Sequence, residues 1–366
     1  MELAFIVGCL AVAAAQPNDR ARFDAWMRDY AVEIDAGDYE RRLDIFAEKL
    51  RSIEAHDASD FRLGLNRFSH LTEDEFASMY RRPMSRVPAP PVDGAAAAET
   101  PDSPPVVVAA AAETLDSVDG AAAAETPASV DWVAEGVVTR VYEQGACAAC
   151  WTFAASGALE GAFALASGRK GANLTAFSQQ QIVECDNITW HGKRVDNGCH
   201  GTWYGMDSAY TYIETNGGLC TEAAYPYVGA NSTDWTTCHV SENGCAIVPG
   251  SAPANHTDVA PASEAALAAA VAKQPVSVVV DASCQGFMSY AGGVWTKDCG
   301  TKLDHAVLVV GYGFDAPSNT SYWKVKNSWG AAWGEAGYVR LARGLAGAGG
   351  HGIMDIASTA SYPTFA

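Results

Sequence analysis

The sequence predicts an α+β fold in two units, on three observations. Helical periodicity precedes strand-like alternation along the chain and does not interleave with it, which argues against repeated βαβ units. Hydrophobic residues make up 49% of the 366 positions and charged residues 18%, a globular balance that excludes wholesale disorder. An Ala-, Pro- and acid-rich stretch, residues 83–127, divides a first unit at 16–82 from a second at 128–366.

The elements follow in order. Leu3 to Val12 form an apolar run too short to cross a bilayer, followed by Ala13-Ala14-Ala15 and Gln16-Pro17. With its small-residue cleavage site, this reads as a signal peptide over residues 1–15, although no Lys or Arg precedes it. No later stretch reaches about 18 unbroken apolar residues, so no membrane span is expected. Apolar residues recur at helical spacing from Phe23 to Tyr30 and again at Leu43, Phe46, Leu50 and Ile53, one stripe of an amphipathic helix. Phe61 to Phe68 alternates apolar and polar like a short strand. Leu71 to Tyr80 reads as a helix opened by Thr72, with Glu75 three residues on to complete a capping box. In the dividing stretch, Val92–Pro101 recurs identically as Val118–Pro127, and its composition offers few large side chains to a core. Beyond it, Trp151 to Ser167 reads as a buried helix stopped by Gly168, and Ser263 to Lys273 as a helix ending before Pro275. Val276–Val280, Ala306–Val310, Ser321–Val325 and Gly337–Leu341 read as strands between Gly-rich turns.

Charge and cysteines narrow the function. Lys and Arg total 24 against 43 Asp and Glu, a net charge of −19, so no basic stripe is available for nucleic acid. Of ten cysteines, Cys9 leaves with the signal; nine in an oxidising compartment imply four bridges and one free thiol. Five N-x-S/T sequons, at Asn173, Asn187, Asn231, Asn255 and Asn319, agree with passage through the secretory pathway.

The free thiol has a natural place. In Gln144-Gly145-Ala146-Cys147-Ala148-Ala149-Cys150-Trp151, a cysteine stands where the buried helix begins, at the positive end of the helix dipole, which favours thiolate over thiol. An imidazolium stabilises the thiolate further, and His305 heads a strand in Leu303-Asp304-His305-Ala306. Asn327, in Lys326-Asn327-Ser328-Trp329-Gly330, can orient that ring through its amide oxygen. A redox dithiol at Cys147 and Cys150 is the competing reading, but it wants a βαβ context. A zinc site wants a second Cys or His pair at ligand spacing, and no cofactor or metal is expected.

These blocks, in the order Cys, His, Asn, resemble those of the papain family of cysteine proteases, cathepsin L-like, and the resemblance covers all but the signal and the dividing stretch. It implies a two-domain fold, helical on the left and β-barrel-like on the right, behind an inhibitory propeptide. It implies Cys150 as nucleophile, His305 as general base and acid, Asn327 as its orienter and Trp329 as a shield over their hydrogen bond. Gln144, with the Cys150 backbone N–H, would stabilise the oxyanion. The residues corresponding to the S2 pocket are Trp203, Tyr204, Val279, Ala306 and Thr359, all uncharged, from which an apolar or aromatic P2 preference is expected. Gly201 and Thr202 would pair with substrate in β-strand fashion. Thr202, in place of a second Gly, is expected to narrow the cleft, and Ala148 also replaces a Gly. Asp38, Arg42, Phe46, Lys49, Ile53 and Asp57 fall on the family's propeptide helix motif, and Gly64, Asn66 and Phe68 on its following segment. There His70 replaces an Asp, and its protonation is expected to help release the propeptide.

The resemblance also implies the bridges Cys147–Cys199 and Cys185–Cys238, each closing a loop of roughly 50 residues worth about 4 kcal/mol in the chain-entropy model. Met354 stands where the family partner of Cys299 would be. Cys284, 15 residues earlier, is then paired with Cys299, leaving Cys220 with Cys245. The expectation is a monomeric zymogen acting on proteins and peptides, destined for a lysosome, a vacuole or the extracellular space. Its alternative is a catalytically silent homologue that binds peptides or inhibits proteases.

Overall fold

The computed structural model describes residues 17–84, 126–190, 193–194, 196–202, 205–229, 237–345 and 348–366. The expected signal peptide and nearly all of the dividing stretch lie outside them.

The first unit is built on α1 (Pro17–Asp29) and α2 (Tyr39–Glu54). Phe23 and Trp26 from α1 meet Leu43, Phe46 and Leu50 from α2 in a small aromatic core, so the stripe read from the sequence is the face that packs. β1 (Phe61–Leu63) is shorter than the alternation suggested. Beyond Leu63 the chain turns over Asn66, whose Oδ1 accepts the Phe68 N–H at 2.9 Å and whose N–H donates to Ser69 Oγ at 2.9 Å. α3 (Glu73–Tyr80) opens with the expected capping box between Thr72 and Glu75. Glu75 also accepts from Arg41 and Arg42, which ties α3 to α2.

The second unit begins with β2 (Val130–Asp131), α4 (Cys150–Ser167), α5 (Gln179–Cys185), the two-residue strands β3 (Thr189–Trp190) and β4 (Lys193–Arg194), and α6 (Asp207–Thr215). It continues with β5 (Asn255–Asp258), α7 (Glu264–Val271), β6 (Val276–Val280), β7 (Tyr290–Trp295), β8 (His305–Asp315), β9 (Thr320–Lys326), β10 (Tyr338–Ala342) and β11 (Ala360–Thr364). α4 is buried over nearly its whole length and ends at Gly168, whose φ of 68° closes the helix without a Cβ penalty. The sheet runs as an open path β1-β7-β10-β9-β8-β6-β11-β5, with β2 added on β8. Its first strand therefore comes from the other unit.

One apolar core lies among the strands and α7; a second gathers Trp151, Ala155 and Leu159 of α4 with Ile182 and Tyr210 of α5 and α6. Val279, Ala306, Leu308 and Val310 belong to the second, so β6 and β8 form the seam against which α4 lies. Four disulfides join Cys147 to Cys199, Cys185 to Cys238, Cys220 to Cys245 and Cys284 to Cys299. Met354 is buried at φ 55°, and its N–H donates to Asp298 Oδ1 at 3.0 Å, so a hydrogen bond holds the Cys299 loop where the family has a bridge. No described helix is long and apolar enough to cross a membrane.

Candidate active site

Cys150 is the first residue of α4 and, among the described cysteines, the one outside a disulfide. The Ala306 N–H donates to its Sγ at 3.4 Å, which sets the start of β8 against the start of α4. His305, the first residue of β8, places Nε2 2.8 Å from Asn327 Oδ1. That oxygen also accepts the Ser328 N–H at 2.8 Å, so it is the acceptor and Nε2 carries the proton. Nδ1 of the same ring is buried without a hydrogen-bond partner. Trp329 stacks on the imidazole, centroids 4.6 Å apart.

Gln144 is fully buried and fixed at both ends of its amide. Nε2 donates to the carbonyls of Cys147 and Tyr80 at 2.8 and 3.0 Å, while Oε1 accepts from Ser328 Oγ at 2.7 Å. Tyr227 Oη adds a bond to the Gln144 carbonyl at 2.7 Å. Sequence reading missed Ser328 and Tyr227, because a serine and a tyrosine carry no spacing signal of their own.

The first unit occupies the cleft. The Arg82 and Met84 N–H groups donate to the carbonyls of Asp304 and Leu303 at 3.1 and 2.9 Å. The occupying segment thus reaches Met84, past the expected boundary at residue 82. Arg81 pairs with the Asp304 carboxylate at 3.0 Å, and Met84 is buried in the same apolar cluster as Cys150, Val279, Leu303 and Ala306. Upstream, β1 adds to the edge of β7, Phe61 packs on Trp295 with centroids 4.3 Å apart, and Asn66 Nδ2 donates to the Met288 carbonyl at 2.7 Å. Glycine is required on β7 at this contact: a Cβ on Gly293, at φ 90°, would lie 2.5 Å from the Asp60 carbonyl oxygen. Phe76 of α3 meets Trp329 edge-on at 4.8 Å, on the indole that covers His305.

This cover decides the electrostatics. Burial pushes the Cys150 thiol up to about 12, the nearby Asp304 charge adding to it and the backbone N–H groups of Ala306, Trp151 and Cys150 opposing it. Burial, with the Arg81 charge adding to it, also holds His305 down to about 4, against the hydrogen bond that its Nε2–H donates to Asn327. Both shifts disfavour, while the leader covers the site, the thiolate–imidazolium pair expected from the sequence. Each has the direction that desolvation by the leader gives.

Among the remaining residues, Gly201 adopts φ 86°, and a Cβ there would come 3.0 Å from Arg82 Cβ. Thr202 is buried with its hydroxyl 3.5 Å from Ser208 Oγ on α6, so the expected narrowing of the cleft does not follow from it. Val279 and Thr359 flank Gly205, and the Val279 N–H donates to the Thr359 carbonyl at 3.0 Å. Trp203 and Tyr204 lie outside the described residues, as does Asn231. Asn173, Asn187, Asn255 and Asn319 are exposed. Among the described residues no cluster of His, Cys, Asp or Glu could hold a metal ion.

A thiol at a helix start, an imidazole from the facing sheet and an amide oriented behind it define a thiol hydrolase covered by its own leader. The chain belongs to the papain family of cysteine proteases: residues 126–364 match the papain family cysteine protease domain, and residues 23–76 the cathepsin propeptide inhibitor domain I29. It is 36% identical to the senescence-specific cysteine protease SAG39 of Oryza sativa subsp. japonica, covering 98% of this chain and 97% of the relative. It is 38% identical to cysteine proteinase EP-B 1 of Hordeum vulgare, covering 93% and 83%. The recombinant stem bromelain precursor superposes with a TM-score of 0.75 at 32% identity, covering 95% of this chain and 99% of that one.

Proposed function

We propose that Cys150 is the nucleophile of a peptide-bond hydrolase, His305 its base and acid, Asn327 the residue orienting His305, and Gln144 with the Cys150 N–H the donors to the oxyanion. The observation that carries this is the 2.8 Å contact from His305 Nε2 to Asn327 Oδ1, an oxygen that also accepts the Ser328 N–H: it assigns the ring proton to Nε2 and leaves Nδ1 the lone pair that can take the thiol proton. Thiolate then attacks the substrate carbonyl, and negative charge develops where Gln144 Nε2 now donates to the Tyr80 carbonyl. The imidazolium protonates the leaving amine, and water hydrolyses the acyl-enzyme. Met84, buried in the same apolar cluster as Val279, Leu303 and Ala306, supports an apolar P2 preference, since that cluster already takes up an unbranched apolar side chain.

The occupied cleft accounts for latency: leader residues 80–84 fill it and keep the reacting pair neutral. Once they leave, solvation returns and both shifts relax toward the ion pair. The four exposed sequons support a route through the secretory pathway. Incubating the zymogen at acid pH with a reducing thiol and a fluorogenic peptide carrying an apolar P2 residue tests the assignment. Turnover by the wild type and none by Cys150→Ser is expected. Peptide binding without turnover would identify a silent homologue, and dithiol exchange on insulin a redox protein.

A further inference from the structure

Tyr227 is held by the enzyme unit itself. Its ring meets Phe153 of α4 edge-on, centroids 4.8 Å apart, and folds back over Gly229, where a Cβ at φ 55° would lie 2.8 Å from the ring edge. Gln180 of α5 fixes the two residues that follow: its Oε1 accepts the Val228 and Gly229 N–H groups at 2.9 and 3.4 Å, while its Nε2 donates to Glu184 Oε1 at 2.7 Å. Burial, with Cys150, Glu143 and Tyr80 adding to it, raises the phenol above its ordinary value, so Oη stays a donor. Its acceptor is the Gln144 carbonyl, at 2.7 Å. That carbonyl opens a turn: Gly145 follows at φ 62°, and the Cys147 N–H donates to the Gly145 carbonyl at 2.8 Å. The Gln144 side chain folds back over the same turn, Nε2 donating to the Cys147 carbonyl at 2.8 Å. A peptide plane before a glycine turns over at little cost, since glycine accepts both orientations. Turning the Gln144–Gly145 plane would displace Cys147, and with it the acceptor that aims Nε2. The second acceptor of Nε2, the Tyr80 carbonyl at 3.0 Å, departs with the leader. From then on the amide is aimed by Ser328 at Oε1 and by this turn at Nε2.

We propose that Tyr227 is a positioning residue for the hydrolysis: its hydroxyl fixes the Gln144–Gly145 peptide plane and so aims Gln144 Nε2 at the oxyanion. This rests on the assignment of Gln144 as an oxyanion donor. A donor acts only at hydrogen-bond distance from the developing charge, and a misplacement of about 1 Å costs a reacting centre about 100-fold. A hydroxyl that restrains one of the two ends of the amide is then worth about tenfold in kcat.

The test uses mature enzyme and one fluorogenic peptide with an apolar P2 residue. Tyr227→Phe is expected to lower kcat about tenfold and to leave KM within about twofold. Alkylation of Cys150 by iodoacetamide, which uses the thiolate but no oxyanion donor, is expected to change by less than about twofold in the same variant. In a Gln144→Ala background, Tyr227→Phe is expected to change kcat by less than about twofold, since the donor it aims is gone. A kcat within about twofold of wild type in Tyr227→Phe overturns the proposal. So does an equal loss in both backgrounds, or an alkylation rate that falls with kcat, because a merely structural role gives those results. Should Tyr227→Phe not fold, Gly229→Ala decides by the same measurements: it keeps the hydroxyl and pushes the ring away from the carbonyl. No turnover by the wild type would defeat the peptidase assignment, and an undiminished kcat in Gln144→Ala the oxyanion assignment; the proposal falls with either.

Discussion

At the scale of single residues, the site rests on amide orientation as much as on the thiol. Asn327 offers its oxygen and Gln144 its nitrogen, and Ser328 fixes both: its N–H goes to Asn327 and its hydroxyl to Gln144. Gln144→Ala in the mature enzyme is expected to lower kcat by about 100-fold or more with little change in KM, the pattern of a donor used chiefly in the transition state. Ser328→Ala is expected to act in the same sense but more weakly, because a freed Gln144 amide still finds the right rotamer part of the time. Steady-state kinetics on one peptide checks both. Cys150, His305, Asn327 and Gln144 were legible in the sequence because each sits in a dense local pattern. Arg81 and Met84 were not, because their meaning lies in docking against residues about 220 positions away.

At the scale of elements, the leader and the enzyme share a sheet. β7 receives β1 on one edge, and the disulfide Cys284–Cys299 spans the whole docking segment: Phe287, Met288 and the strand itself. In the chain-entropy model a loop of this length is worth about 3 kcal/mol, and here it stiffens the surface that meets Phe61, Gly64 and Asn66. The paired variant Cys284→Ser/Cys299→Ser is therefore expected to lower the zymogen's Tm and to speed its maturation, while the mature form's KM for a small peptide stays within about twofold. Equal maturation rates would count against the platform role. Sequence periodicity located α1 to α4, α7, β6, β8, β9 and β10; it overran β1, where Asn66 diverts the backbone into a turn, and it missed β7 along with α5, α6, β5 and β11. It could not assign β1 to the other unit's sheet, since strand pairing across units leaves no local periodicity.

At the scale of the whole molecule, two histidines respond to acid in opposite senses. His70 lies against the Trp26 ring in the leader core. Burial first and the Arg42 charge second hold it down to about 4; Arg67 also opposes its charge, while Glu75 and a backbone hydrogen bond favour it. A depressed histidine stabilises the folded leader fully above about pH 6.5, and that contribution is lost as pH falls toward 4. Discounted for partial exposure, it is about 2 kcal/mol. His256 bridges the sheet to α6 through Glu214 at 2.9 Å. Burial disfavours its charge, but Glu214, Asp207 and Asp258 outweigh burial and raise its pKa. Its contribution is fully present below pH 6.5 and is lost as pH rises through the raised value. Acidification thus loosens the leader while securing the enzyme beneath it. His70→Gln, which cannot take up the proton, is expected to shift the midpoint of maturation to lower pH; an unchanged midpoint would remove His70 from the trigger. His256→Gln is expected to lower the mature enzyme's Tm at pH 5 more than at pH 8.

Full burial of the Cys150 sulfur has a kinetic corollary. A molecule whose own nucleophile is sealed and uncharged makes a poor start on its own leader, so the earliest cuts fall to neighbours that have already opened. Progress curves should then show a lag that shortens as zymogen concentration rises and vanishes when a trace of processed enzyme is added.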